Sequence, residues 1–234
     1  MPEPITIYRY LDSDAALKTL VGGEFRVGKI SKFNDPFEWQ FGVGKLTPED
    51  LERVKNFRRN FQQWNDSTIG VLSFSKSIKD PILWSLYAEK HHGIAFEVKH
   101  SWSDKEILHI TYSNQRPQID IEKIRQIALS SSSQTEIEEY LKPILAQLIR
   151  QKSTSWEFEN ECRLTVHIKN PDHCQERNGM YYWPILKNLL TRVILGFRCP
   201  LEENHVRKLL DMNGFTQTNI TRATMCNETY TIRC

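Results

Sequence analysis

From Glu161 to Ile168 apolar and polar side chains alternate without a break, with Cys162, Leu164, Val166 and Ile168 on one side and Glu161, Arg163, Thr165 and His167 on the other. An extended chain places successive side chains on opposite faces, so this pattern predicts a strand with one buried and one polar face. Shorter β-prone runs read as further strands over Ile5–Tyr10, Phe25–Val27, Ser67–Ser75, Gly93–Val98, Ile107–Tyr112, Arg192–Phe197, Ile220–Thr224 and Thr229–Arg233. Gly93–Val98 and Ile107–Tyr112 are expected to form a hairpin around Ser101 to Asp104.

Helices announce themselves by their ends. Asp12 or Ser13 caps one that runs through Leu20 and stops at Gly22-Gly23, and Thr47 with Asp50 starts another to about Trp64. Asp80-Pro81 opens a third, which carries Trp84 and Tyr87 on one face, and Leu201–Met212 forms a fourth, ended by Asn213-Gly214. Ile137, Tyr140, Leu141, Ile144, Leu145, Leu148 and Ile149 follow the helical period, with Pro143 expected to kink or split that helix. The Ser130 to Ser133 run ahead of it reads as a linker, and Arg53, Lys55, Arg58 and Arg59 read as a solvated helix face. Without internal repeats or regular βα alternation, the class is α+β, a mixed and largely antiparallel sheet with helical insertions. The predicted organisation is one domain over 1–234 with a helical insertion at about 118–152.

At 234 residues and 39% apolar the chain can bury a core without staples. A formal charge of +2 supplies no global field toward nucleic acid or membrane. Five cysteines with no C-x-x-C pair argue for reduced thiols. The segment MPEPITIYRY has neither the basic nor the apolar region of a signal peptide, and no window approaches the ~20 apolar residues of a membrane helix. A cytoplasmic protein without membrane contact is expected.

Nucleotide and metal signatures are missing: there is no Walker loop, no G-x-G-x-x-G and no G-x-S-x-G, and His91-His92 and His173-Cys174 lack partners at zinc-ligand spacing. No metal is expected. What remains is Tyr8-Arg9-Tyr10, the Phe33-Asn34-Asp35-Pro36-Phe37-Glu38 turn, Phe74-Ser75 followed by Trp84-x-x-Tyr87, Gly93-Ile94-Ala95-Phe96-Glu97, and Trp156-x-x-Glu159-x-Glu161-x-Arg163. In combination these resemble the bacterial family called domain of unknown function 2971, whose name assigns no reaction. Phe33 and Phe37 are expected to anchor their turn to the core.

A second resemblance concerns chemistry. Arg9 on the first strand, Ser73-Phe74-Ser75 on a later one and Glu159-Asn160-Glu161 opening another are similar to the ADP-ribosyltransferases of the Arg-Ser-Glu type. The resemblance implies NAD as substrate, Glu161 as the essential carboxylate at the nicotinamide ribose and Glu159 as its auxiliary toward the acceptor. It implies Arg9, Tyr10, Ser73, Ser75, Trp84 and Tyr87 around the dinucleotide. Asn34, Asp35 and Arg163 are candidates for substrate contact or for bracing. The implied partners are a small-molecule nucleotide and an acceptor, protein or nucleic acid. The transferase or glycohydrolase reading expects Arg9, Ser75 and Glu161 to converge on one concave site. The alternative is a non-catalytic ligand-binding or protein-interaction module in which the same residues brace turns and strand edges.

Overall fold

The computed structural model describes residues 3–44, 46–103, 106–129 and 134–234. The chain divides into two compact units, one of Met1–Gly28, Gly70–His109 and Phe158–Cys234, the other of Lys29–Ile69 and Ile110–Glu157. The Ser130 to Ser133 run and Asp104 lie outside the described residues.

The first unit is built on strand β1 (Ile5–Leu11), helix α1 (Ser13–Gly22), β2 (Ile69–Ser75), helix α2 (Pro81–Tyr87), β3 (Ile94–His100), β4 (Ile107–His109), β5 (Glu161–His167), β6 (Leu190–Leu195), helix α3 (Glu203–Met212) and β7 (Asn219–Arg222). The seven strands form one sheet in the order β7-β6-β3-β1-β2-β5-β4. Antiparallel pairing joins β3 to β1 and β6, β1 to β2, and β5 to β4, whereas β6 and β7 run parallel. The architecture is therefore α+β with a mixed, largely antiparallel sheet.

The caps are where local chemistry puts them. Asp12 accepts the Ala15 N–H at 2.8 Å, and Gly23, at φ +66°, ends α1. Asp80 accepts the Ile82 N–H at 2.8 Å and starts α2 at Pro81. The expected hairpin between Gly93–Val98 and Ile107–Tyr112 does not form: β3 lies between β1 and β6, and β4 pairs with β5. The longer registers that β1 and β6 offer occupy both edges of β3.

Each face of the sheet has its own core. On one face Ile7, Phe25, Leu72, Phe74, Phe96, Leu164 and Val193 pack with Ala16 and Leu20 of α1 and Val206 and Leu210 of α3. On the other, Trp84 packs with Ile78, Ala88, Ala95, Ile194, Ala223 and Ile232, with Tyr8 and Tyr10 against them. The backbone leaves no room at Gly93, where a Cβ would stand 2.1 Å from the Leu11 carbonyl oxygen. Gly93→Ala is expected to destabilise the chain by about 1–3 kcal/mol by forcing β1 and β3 apart, to be read from denaturant midpoints. An unchanged midpoint would show that this junction yields without cost.

In the second unit a helix spans Pro48–Thr68, capped by Thr47, whose hydroxyl accepts the Asp50 N–H at 3.2 Å. It runs past Trp64 and takes Ser67 and Thr68 from the strand expected there. Arg53 pairs with Glu49 at 2.5 Å and Lys55 with Glu52 at 2.7 Å, as on a solvated face, while Arg58 turns inward to the Phe41 carbonyl at 2.6 Å. The helix Gln134–Leu148 continues through Pro143 without the expected split. It packs with Ile121–Leu129 around Phe41, Val54, Ile119, Leu141 and Leu148.

Candidate functional site

Strand alternation decides which predicted residues can meet. Leu72 and Phe74 of β2 and Cys162 and Leu164 of β5 enter the first core, so Ser73, Ser75, Glu161 and Arg163 project from the other face. Tyr8 stands directly opposite Ser75 on one side and Glu97 on the other, and Glu97 stands opposite Arg192. A polar row thus crosses the sheet from β5 to β6. At its far end Arg192 holds Glu97 through Nη2 at 2.6 Å and Nε at 3.2 Å, and the Thr191 hydroxyl donates to Glu97 at 2.7 Å. Burial, then the Glu97 charge, raises the pKa of the Tyr8 phenol.

The near end gathers the predicted carboxylates. Glu159 closes a 3₁₀ turn, Thr154–Glu159, Asn160 takes φ +44°, and only then does β5 begin at Glu161. The two carboxylates therefore do not share one strand, as the E-x-E spacing had suggested; the left-handed Asn160 between them separates their directions. Glu159 is 6% exposed. Its carboxylate accepts the Tyr87 hydroxyl, and its main-chain carbonyl accepts the Ser75 hydroxyl at 2.6 Å. Ser75 Oγ in turn accepts the Ser77 N–H at 2.9 Å, and the Lys76 N–H donates to the Asn160 carbonyl at 3.0 Å. Glu161 is gripped by Arg163 in a fork, Nε to Oε1 at 2.7 Å and Nη2 to Oε2 at 2.8 Å, and Arg163 is 1% exposed.

Arg9 does not join them. Projecting from the same side of β1 as Ile7, it lies over the rings of Phe25 and Phe74 at 5.3 and 5.7 Å and donates to the carbonyls of Ser73 at 3.2 Å and Arg26 at 2.9 Å. Desolvation pulls its pKa down to about 10. The expected convergence of Arg9, Ser75 and Glu161 fails at Arg9, because neighbours along a strand face opposite ways.

Tyr10 donates its hydroxyl to the Ser77 carbonyl at 2.8 Å and meets Trp84 edge-on at 5.2 Å; burial raises its pKa. Trp84 is wholly buried, with its indole N–H on the Ile78 carbonyl at 2.8 Å. Asn34 and Asp35 belong to the second unit, where Asn34 is exposed and buried Asp35 accepts the Phe37 N–H at 2.9 Å. Phe37 is not the anchor expected of it: the ring is 59% exposed beneath the Arg116 guanidinium. The segment is fastened instead by Asp35, Glu38 and Trp39, and buried Glu38 faces Lys152 at 3.9 Å.

Sequence reasoning missed Tyr8, the Glu97–Arg192 pair and Lys152. Glu97 lies in the Gly93-Ile94-Ala95-Phe96-Glu97 motif, but its pairing with Arg192 depends on sheet register. Among the described residues no three or more His, Cys, Asp or Glu side chains form a group suited to a metal, and no helix is long and apolar enough to cross a membrane.

A family model described as a protein of unknown function, DUF2971, matches residues 83–164. Over those residues the chain is similar to the DUF2971 family. No curated protein and no solved structure matches the chain significantly. The DUF2971 match spans less than half of the chain, and it contains Trp84, Tyr87, Glu97, Glu159, Glu161 and Arg163. Tyr8 to Tyr10, Phe33 to Glu38 and Ser73 to Ser75 lie before it.

Proposed function

We propose that the first unit carries an NAD-consuming activity, as a glycohydrolase or an ADP-ribosyltransferase, with Glu159 as its working carboxylate. The observation behind this reading is the convergence of three predicted residues: Tyr87 and Ser75, distant in sequence, both bind Glu159. The motif-bearing strands β1, β2 and β5 are also consecutive neighbours in the sheet, which their order in the chain did not require.

Breaking the bond between ribose and nicotinamide develops positive charge on the sugar. A rigidly held carboxylate beside the ribose stabilises that charge more in the transition state than in the ground state. Tyr87 fixes the carboxylate of Glu159 and Ser75 fixes its backbone. The Glu161–Arg163 fork holds the start of β5, which makes it a positioning pair in this reading. Water or an acceptor nucleophile then takes the ribose carbon as nicotinamide leaves with the bonding pair. Arg9 has no part, and Tyr8 occupies the polar face opposite Ser75.

The second reading, a non-catalytic binding module, draws on a different observation: Glu161 and Arg163 are nearly fully buried and paired, as a bracing ion pair would be. Labelled NAD separates the two. Incubation alone, and with protein and nucleic-acid acceptors, is expected to release nicotinamide. A natively melting chain that releases none across the acceptors would replace the enzymatic reading by the binding module.

A further inference from the structure

A second region of the first unit, whose lining does not include Glu159, lies between the Glu89–His91 turn and the carboxyl-terminal hairpin in which Thr224–Met225 pairs with Ile232–Arg233. It encloses a cavity of about 490 Å³ lined by Lys90, His91, Phe197, Arg198, Cys226 and Tyr230, among others. That volume falls within the roughly 300–1,000 Å³ of small-molecule sites. No Asp or Glu is among the lining residues. Lys90 and Arg198 form no ion pair among the described residues, so both charges are available.

The cavity also offers flat surfaces. The His91 ring lies 4.6 Å from that of Phe197 and stacks on Trp84 at 6.3 Å with an interplanar angle of 7°. Arg198 covers Phe197 at 5.0 Å. The Nδ1 atom of His91 is buried and has no hydrogen-bond partner among the described residues. Burial lowers the His91 pKa, which favours the neutral ring.

This presentation is held against local preference. Glu89, Lys90 and His91 take φ values of +48°, +53° and +72°, a left-handed run that L-residues resist. The contacts that hold the turn include Ser13 N–H on the Glu89 carboxylate at 3.0 Å, His92 N–H on the Glu89 carbonyl at 3.1 Å, Gly93 N–H on the Ala88 carbonyl at 2.9 Å, and Arg198 N–H on the His91 carbonyl at 3.1 Å. The last of these ties Lys90 and His91 to Arg198 across the cavity wall. Cys226 adds a negative charge above a pKa of about 6, set by the Thr229 side chain and then the N–H groups of Glu228 and Thr229. That charge is met by the hairpin's own donors.

We propose that this cavity binds a small aromatic anion, with its ring against His91 and Phe197 and its charge on Lys90 and Arg198. The site stands independently of the role given to Glu159. Calorimetric titration of the full chain at pH 7 with phenyl phosphate, beside neutral benzyl alcohol, tests it. Saturable one-to-one binding of phenyl phosphate is expected, with benzyl alcohol at least tenfold weaker. Combined Lys90→Gln and Arg198→Gln, at exposed positions, should weaken phenyl phosphate about tenfold or more without moving the melting temperature. Absence of saturable binding, equal binding of the neutral alcohol, or full affinity in the double variant would each overturn the assignment.

Discussion

Glu159→Gln is expected to lower nicotinamide release from NAD by about 10²–10³-fold, the scale of a lost preorganised electrostatic contact. The substitution keeps shape and an acceptor oxygen for the Tyr87 hydroxyl, and the Ser75 bond reaches the main-chain carbonyl, which the variant retains. What disappears is the charge. Because that charge acts on the transition state, kcat should fall while KM changes little. The check is steady-state nicotinamide release at matched melting temperatures, with Glu161→Gln measured beside it. Full activity in Glu159→Gln, set against an active wild type, would remove the carboxylate role. Loss confined to Glu161→Gln would return the essential role to the residue that the transferase resemblance named.

Arg163→Met should cost about 3–5 kcal/mol of stability, since it strips a buried carboxylate of the guanidinium that forks onto it. The methionine fills much of the same volume, so the loss reports on charge more than on a cavity. Adding Glu161→Gln to the same chain removes the stranded charge and should restore a substantial part of the loss. Chemical denaturation of wild type, both single variants and the double variant closes that cycle. Additive single losses, or a neutral Arg163→Met, would show that the two groups do not stabilise each other. The same double variant bears on function. If it melts near wild type yet loses activity, the fork also positions Glu159.

Much of the local structure was legible because its causes are local. Asp12, Thr47 and Asp80 satisfy helix N–H groups within three residues, and Gly23 tolerates a left-handed backbone wherever the chain goes next. The alternation from Cys162 to Ile168 marked the buried face of β5 for the same reason. The polar face read less well: the alternation marked Glu161 and Arg163 as a polar face without saying what covers it, and both are buried. A period of two separates faces but does not say what covers each of them. Phe37 failed in the opposite sense, since an aromatic beside Asn-Asp-Pro carries no information about which side of the turn meets a core.

The candidate site divides along the same line. Residue types, helix caps and strand periodicity follow from the sequence by itself, because they depend on interactions within a few residues of each other. The Ser75, Tyr87 and Glu159 candidates came from the resemblances, and their meeting across 72 and 84 residues did not. Tertiary structure alone decided that Arg9 turns away from Ser75, that Asn160 parts the two carboxylates, and that Glu97 finds Arg192. Those outcomes rest on strand order and register, which are set by the packing of two distinct cores against one sheet. Register is a property of partners far apart in the chain, and a shift by one residue would have reversed the faces that Arg9 and Glu97 present.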